Sequence, residues 1–298
     1  MTTASTGRPT RLGIDIGGTG SRWVACDLEG RELARGRADG ATAHIFNGAE
    51  RLRLTAALAD IAAQLCSHGL SPTRVRAGLT GYGAGVESEA QTLFAAAFGV
   101  PASIVDDITT AYLAVYRPGE GHVVSAGTGS FGVHMAVDGA QIRVGGRGIL
   151  VDDAGSGSWI ALRAIERLYR AYDRDGNFDA MPRMAHHIFE MVGGREWGNV
   201  REFVYSGNRG RIGTLAIAVG RAAHDQDPAA IELLSRAGAE LAAIARTLIL
   251  RIGPLPLAFI GGALDLHPII KQTIGANLDG HSLDFPESDP ALTAARQV

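Results

Sequence analysis

Hydrophobic residues near the start of this chain fall into three short runs that are separated by turn residues. Runs of this kind predict three antiparallel strands, at residues 12–21, 23–28 and 31–37. The first run leads into a glycine turn, Gly18-Thr19-Gly20-Ser21, and the pair Glu29-Gly30 separates the second strand from the third.

The same arrangement is found a second time further along the chain. A predicted strand leads into Gly127-Thr128-Gly129-Ser130, a second strand follows, and the pair Asp138-Gly139 precedes a third. The glycine turn and the acidic-Gly pair both recur at the same separation from their first copies. A matched loop, a matched turn and matched strand flanks seldom coincide by chance, so a duplicated domain is predicted.

The hydrophobic period changes to that of helices between the two copies and again after the second. Between the copies the pattern predicts helix, strand, helix, strand and helix; after the second copy it is mostly helical and ends as helix, strand and helix. Between the copies, one helical face contains Leu54, Leu58, Ile61, Ala62 and Leu65; strands follow at residues 74–79 and 102–105, and helices at 90–97 and 108–116. After the second copy, one helical stripe contains Trp159, Leu162, Ile165, Tyr169 and Tyr172. A further helix starts at Asp227-Pro228, and a strand at 255–260 precedes a helix at 264–277.

The predicted order is βββαβαβα, then βββ with helical insertions, then αβα, which defines an α/β fold of two lobes. A chain of 298 residues is also longer than one compact core usually holds. We expect an N-terminal lobe at residues 1–118 and a C-terminal lobe with helical insertions at 119–286. The segment 287–298 is a candidate to pack on the first lobe, and the breakers Arg117-Pro118-Gly119 mark the boundary.

Composition and charge argue against several classes of partner. Hydrophobic residues make up 46% and charged residues 20%, as in an ordinary folded protein. The net charge of −3 gives no reason to expect nucleic acid or anionic lipid. No apolar run reaches the ~18 residues of a membrane span. The tail Met1–Thr10 is polar and lacks an apolar signal segment, so we expect a cytoplasmic protein.

Cysteine and lysine are both scarce. Cys26 and Cys66 are too few and too isolated for a disulfide framework, a zinc site or an iron–sulfur cluster. Of the 28 basic residues only Lys271 is lysine, which disfavours the Walker-type and protein-kinase sites that place a lysine on the phosphates. The nine histidines show no ligand spacing, and we interpret His186-His187 as an exposed helix surface.

The duplicated glycine turns are the first candidates for chemistry. A nucleotide phosphate needs backbone N–H donors at close range, and glycine lets the main chain approach because it has no Cβ. Two such turns, one from each lobe, could hold a triphosphate; the alternative is that each is only a tight connection between strands. Residues 127–132 also fit G-x-G-x-x-G, but a strand follows where a dinucleotide-binding fold requires a helix.

Carboxylates at the ends of predicted elements are the second group of candidates. Asp15 closes the first strand, where it either forms the turn or holds Mg²⁺ through water. Asp106 and Asp107 lie just before a predicted helix. One interpretation is that they form its N-cap, and the other is that they supply a base that deprotonates an attacking hydroxyl. Asp153 likewise either caps a helix or binds sugar hydroxyls. Gly261-Gly262 follows a strand, for steric reasons or to leave room for an adenine ring.

Six motifs span nearly the whole chain in a fixed order: residues 15–21, 79–83, 105–107, 126–130, 146–148 with 153–157, and 259–262. Together they resemble the BadF/BadG/BcrA/BcrD ATPase family, and within it the N-acetylglucosamine and glucosamine kinases. The resemblance implies the two-lobed actin-like ATPase fold, which is ribonuclease H-like and built here from duplicated βββαβαβα units. It also implies a site for ATP and sugar.

The implied activity is ATP-dependent phosphorylation of an amino sugar, N-acetylglucosamine or glucosamine, at its 6-hydroxyl. The cofactors are ATP and Mg²⁺; the partner is a small-molecule sugar, with no nucleic acid or membrane, and a homodimer is an open expectation. The implied residues are Asp107 as the catalytic base; Gly17, Gly18, Thr19, Gly127, Thr128 and Gly129 on the phosphates; Gly261 and Gly262 at the adenosine; Gly146, Asp153 and Ser130, with Asp107, on the sugar; and Asp15 on Mg²⁺ through water.

Some positions depart from the family pattern. Arg147 replaces an aromatic residue, Ala154 replaces a glutamate, and Pro290 replaces a glycine. An asparagine is expected after the third strand, where the nearby candidates are Thr42, His44 and Asn47. Because the phosphate motifs are intact, these departures bear mainly on the sugar. The alternatives are a non-catalytic or filament-forming actin-like ATPase and an ATPase with a non-sugar substrate.

Overall fold

The computed structural model of this protein describes residues 7–206 and 209–298. Contacts between residues divide the chain into two compact units. Unit 1 contains the described chain up to Tyr116 together with the C-terminal segment Ser288–Val298, and unit 2 contains the described part of Arg117–Glu287. No helix in the described ranges is long and apolar enough to cross a membrane.

The elements follow one another in the predicted order. They are β1 (Arg8–Ile16), β2 (Gly20–Cys26), β3 (Glu32–Asp39), α1 (Gly48–Ser67), β4 (Leu70–Leu79), α2 (Glu87–Phe98), β5 (Ala102–Asp106), α3 (Asp107–Leu113), β6 (His122–Ala126), β7 (Ser130–Met135), β8 (Gln141–Gly145), α4 (Gly157–Asp175), α5 (Pro182–Val192), α6 (Trp197–Tyr205), α7 (Arg209–Thr214), α8 (Ala216–His224), α9 (Pro228–Ile252), β9 (Leu257–Ile260), a 3₁₀ turn (Gly262–Asp265), α10 (Pro268–Asn277), β10 (Leu283–Asp284) and α11 (Pro290–Arg296).

Each unit is built on a five-stranded mixed sheet, and the two sheets have the same topology. The order is β3-β2-β1-β4-β5 in unit 1 and β8-β7-β6-β9-β10 in unit 2. In both, the central strand is antiparallel to the strand that follows it and parallel to the strand on its other side. The predicted duplication and α/β class are therefore confirmed. The short strand β10 had no sequence signal.

The core of unit 1 lies between its sheet and α1. The helix buries Leu54, Leu58, Ile61 and Leu65, as its period predicts. The opposite face of β1 packs against α11. At Gly13 an added Cβ would lie 2.0 Å from the carbonyl oxygen of Ala291 and 2.3 Å from the nitrogen of Ala295. The C-terminal helix can therefore lie on β1 only because this strand position has no side chain.

In unit 2 the helices between β8 and β9 supply most of the core. Helix α9 begins as predicted, with Asp227 as its N-cap and Pro228 in its first turn. Helix α4 is confirmed, but its buried face differs from the predicted aromatic stripe. The stripe is only partly buried, and Tyr172 is exposed. The buried face contains Ile160, Ala161, Ala164, Leu168 and Ala171, because small alanines let neighbouring helices approach closely.

Replacement of Gly13 by alanine should destabilise unit 1. The added methyl group would overlap the backbone of α11, and overpacking of this kind costs about 1–3 kcal/mol or more. Urea denaturation measures the loss. Gly48→Ala is the matched control, because a Cβ at Gly48 meets nothing within 4 Å. If the two variants were equally stable, the packing of α11 on β1 described here would be wrong.

Candidate functional site

In unit 1 the predicted phosphate turn connects β1 to β2. The turn is closed by a hydrogen bond from the Gly17 nitrogen to the Gly20 carbonyl, 3.1 Å long. Gly40 supports it from the end of β3, where a Cβ would lie 2.4 Å from the nitrogen of Gly20 and 2.5 Å from that of Thr19. Ala41 also donates to the Gly17 carbonyl at 3.0 Å. The close approach of a second backbone segment therefore shapes the turn.

Arg53 of α1 also supports this turn and was missed by the sequence analysis. Its guanidinium donates to the carbonyls of Gly18, at 3.3 Å, and Gly40, at 2.8 Å. Glu50 orients it through a 2.9 Å hydrogen bond and itself accepts a 2.9 Å bond from the Thr42 hydroxyl. The Glu50/Arg53 spacing on the helix was the available signal, but nothing local shows that Arg53 reaches the turn.

Asp106 and Asp107 have different surroundings. Asp106 is the N-cap of α3: its carboxylate accepts from the Thr109 nitrogen at 2.8 Å and from the Thr109 hydroxyl at 2.6 Å. The Asp107 carboxylate instead accepts from the Thr80 hydroxyl at 2.7 Å. Thr80 follows β4, and its own nitrogen donates to the Ile16 carbonyl at 3.0 Å. The capping role therefore belongs to Asp106, and Thr80 orients Asp107.

Asp15 lies close enough to Asp107 for the two charges to interact. Burial, and after it the negative charge of Asp107, raises the pKa of Asp15 to about 6, although Arg22 acts in the opposite direction. Ionised Asp15 thus lacks full compensation within unit 1. A divalent cation held through water would supply the missing positive charge, and carboxylate oxygen is the ligand type that Mg²⁺ prefers. These residues fit Mg²⁺.

In unit 2 the predicted phosphate turn lies against the start of α4. The Gly127 nitrogen donates to the Gly129 carbonyl at 2.9 Å, and the first backbone nitrogens of α4 donate to the carbonyls of Gly127 and Thr128 at 2.9 and 3.1 Å. Ser130 is buried, and its hydroxyl donates to the Ala154 carbonyl at 2.6 Å. This hydroxyl is therefore engaged within the unit.

Asp153 does not cap α4, since Ser156 does. Its carboxylate accepts hydrogen bonds from the backbone nitrogens of Gly148 and Ser130. Burial raises the pKa of Asp153 in spite of these bonds. It also lies against Gly129, where a Cβ would be 3.1 Å from a carboxylate oxygen. Asp153 thus links the phosphate turn to the neighbouring glycine-rich loop.

That loop, residues 145–148, contains Gly146 and Arg147. Gly146 has a φ of +65°, and a Cβ there would lie 2.7 Å from the Cβ of Phe131. The exposed Arg147 is held at its backbone by a 3.0 Å bond to the Asp152 carbonyl. The structure therefore brings Gly129, Ser130, Gly146 and Asp153 together.

Gly261 and Gly262 follow β9 and are both exposed. Gly261 has a φ of +108°, and a Cβ there would lie 2.5 Å from the carbonyl oxygen of Ala126, the residue before the phosphate turn. Steric necessity therefore explains Gly261. A Cβ at Gly262 would meet nothing within 4 Å, so this backbone faces open space.

Three residues after β3 were candidates for the role of the asparagine that the family pattern places there, and two of them are engaged in other hydrogen bonds. Asn47 caps α1 by accepting from the Ala49 nitrogen at 2.9 Å, and the Thr42 hydroxyl is bonded to Glu50. The exposed His44 lies beside Gly81, where a Cβ would be 3.0 Å from its Nε2 atom. Within unit 1, then, His44 lies beside the loop after β4.

Two sheets of one topology, each with a glycine turn after its central strand, define an α/β protein with the actin-like ATPase fold. The chain belongs to the BadF/BadG/BcrA/BcrD ATPase family, which it matches over residues 12–292. The glucosamine kinase GspK of Vibrio cholerae is 30% identical over 240 residues, 77% of each chain.

Solved structures show the same similarity. A candidate N-acetylglucosamine kinase of Chromobacterium violaceum is 26% identical, with a TM-score of 0.73 over 95% of this chain and 96% of that one. A ROK-family glucokinase of Streptomyces griseus, in complex with glucose and AMPPNP, is 18% identical, with a TM-score of 0.61 over 97% of this chain and 98% of that one. The latter similarity concerns the fold alone.

Replacement of Asp15 by asparagine should stabilise unit 1 at neutral pH. The pKa of Asp15 is about 6 in the folded protein, above the ordinary value of 3.8. Protonated Asp15 therefore contributes stability that is fully present below pH 3.8, and this contribution is lost as the pH rises through 6 and the carboxyl ionises. At pH 8, without Mg²⁺ or ATP, the variant should be more stable by on the order of 3 kcal/mol.

Urea denaturation at pH 8 and pH 5 tests this expectation, because the extra stability of Asp15→Asn over the natural protein should shrink as the pH falls. Asp39→Asn, on the exposed edge strand β3, is the control and should change little. A variant at Asp15 that is no more stable than the natural protein at pH 8 would show that this carboxylate carries no electrostatic strain.

Proposed function

We propose that this protein is an ATP-dependent kinase that phosphorylates an amino sugar, N-acetylglucosamine or glucosamine, at its 6-hydroxyl. The observation that carries the proposal is the separation of roles between Asp106 and Asp107. Asp106 caps α3, while Asp107 is held by Thr80 near Asp15. Family membership and the relatives' amino-sugar kinase names support the same conclusion.

In the proposed reaction Asp107 is the base. The 6-oxygen of the sugar forms a bond to the γ-phosphorus as the bond from that phosphorus to the bridging oxygen of ADP breaks, and the hydroxyl proton passes to the Asp107 carboxylate. The hydrogen bond from Thr80 orients this carboxylate. Placement and charge stabilisation supply most of the catalysis in phosphoryl transfer.

Asp15 is the proposed Mg²⁺ residue, through water, and the ion would neutralise phosphate charge. The turn residues Gly17, Gly18 and Thr19 of unit 1 and Gly127, Thr128 and Gly129 of unit 2 are proposed to bind the phosphates. Backbone N–H groups at glycine turns form anion-binding concavities, which supports this assignment.

Asp153, Gly146 and Ser130 are the proposed sugar residues of unit 2. Asp153 is the strongest of these, because two backbone N–H groups fix its carboxylate. Ser130 would act by placing the loop, since its hydroxyl is bonded to Ala154. Gly261 and Gly262 are proposed to line the adenosine pocket. The open space at Gly262 leaves room for a flat ring.

Asp107→Asn should lower kcat by at least the ~10²-fold typical of the loss of a positioned base. Asparagine keeps the shape and can accept the Thr80 hydrogen bond, but it cannot take a proton. Folding and ATP affinity should therefore change little. A coupled ADP-release assay measures turnover, and calorimetry measures nucleotide binding.

Asp106→Asn is the matched control. Its amide oxygen can still cap α3, so this variant should lose far less activity. Equal losses in the two variants, or a larger loss at Asp106, would show that the base is wrongly assigned. If neither variant lost turnover, the pair would be only a helix cap.

Arg147 and Ala154 generate a prediction about selectivity. Because the sugar-side loop departs from the family pattern, glucosamine or another relative should be a better substrate than N-acetylglucosamine, as judged by kcat/KM. Arg147→Trp restores an aromatic residue and should shift the ratio towards N-acetylglucosamine by about tenfold, as one pocket contact can. A natural preference of more than about tenfold for N-acetylglucosamine would contradict the idea.

A further inference from the structure

Three neighbouring side chains of helix α5 form a cluster outside the proposed kinase residues. His186, His187 and Glu190 each offer one ligand atom, and these atoms all lie within 4.8 Å of one another. His186 and Glu190 are exposed and one helical turn apart, while His187 is largely buried. Two imidazoles and a carboxylate form a donor set that binds first-row transition metals.

The two ring nitrogens of His187 have different surroundings. Its Nε2 atom lies 2.6 Å from a carboxylate oxygen of Asp225, so Nε2 carries the hydrogen and donates it. Its Nδ1 atom is buried and has no hydrogen-bond partner in the described parts of the chain. A carboxylate on one nitrogen and an unpaired second nitrogen is the arrangement that orients a metal-binding histidine.

The helix that carries the cluster is anchored at the turn between α8 and α9. The buried Asp227 accepts a hydrogen bond from the Met184 nitrogen at 3.0 Å, and Arg183 donates to the Gln226 carbonyl at 3.3 Å. Gln226 has a φ of +64°, the one positive value of a non-glycine residue in the described ranges. Since α5 is held to this turn, the ligand residues lie on a fixed support.

We propose that His186, His187 and Glu190 form a binding site for Zn²⁺, with Asp225 orienting His187 and water as the fourth ligand. Bond lengths of ~2.1 Å require the donor atoms to approach one another to about 3.5 Å. The exposed His186 and Glu190 can make this movement by rotating their side chains. Mg²⁺ should bind poorly, because it prefers oxygen ligands. The bound ion would strengthen the attachment of α5 to the α8–α9 turn.

The test is calorimetric titration of tag-free, EDTA-treated protein with Zn²⁺ alone, in the absence of ATP. The natural protein should bind one equivalent per chain. His186→Gln and Glu190→Gln should each weaken binding at least tenfold. Asp225→Asn should weaken it 10- to 100-fold, the usual effect of losing a residue that orients a ligand. The exposed Glu190 makes its variant safe for folding, which circular dichroism checks.

Two control variants address other Zn²⁺ ligands. His224→Gln removes one member of a second histidine pair, His224 and His267, whose ring centroids are 4.7 Å apart. Cys66→Ser removes the exposed thiol. Both should bind Zn²⁺ as the natural protein does. Zn²⁺ should also raise the melting temperature of the natural protein but not of Glu190→Gln. No saturable binding, or binding that survives in His186→Gln and is lost in either control, would overturn the proposal.

Discussion

In both units a second backbone segment packs, without an intervening side chain, against the glycine turn or the strand end that leads into it. In unit 1 this segment is Gly40, at the end of β3, which lies against Thr19 and Gly20. In unit 2 it is Gly261, after β9, which lies against Ala126. A side chain at either glycine would push the segments apart. The position of each turn is therefore set by chain that is distant in sequence.

The same strand ends concentrate charge in unit 1. β1 and β5 both run parallel to β4, so their last residues lie at one edge of the sheet and Asp15 comes close to Asp107. Two partly buried carboxylates this close destabilise the fold when both are ionised. A site that is to hold a divalent cation needs this uncompensated negative charge. The strain in Asp15 is thus a consequence of the function proposed for it.

Regular patterns made most of the fold predictable from sequence. The strand runs, the repeated turns and the helical face of α1 are local signals, and all three are confirmed. The contributions of Arg53 and Thr80 were not predictable, because each acts across the fold on a residue that is remote in sequence. The fully buried face of α4 was not identified either. The predicted stripe is only partly buried, whereas close packing with neighbouring helices buries Ile160, Leu168 and three alanines.

The duplication preserves the anchoring of the turn more closely than its chemistry. Ser21 and Ser130 are both buried at the start of the second strand, and both hydroxyls donate to a backbone carbonyl, of Asp39 and Ala154. In strand register, however, Ser21 pairs with Ile16 and Ser130 with Ala126. The residue that precedes this strand partner is therefore Asp15 in unit 1 but Ser125 in unit 2. Only unit 1 places a carboxylate before its turn, which is why the magnesium role is proposed for one copy of a repeated structure.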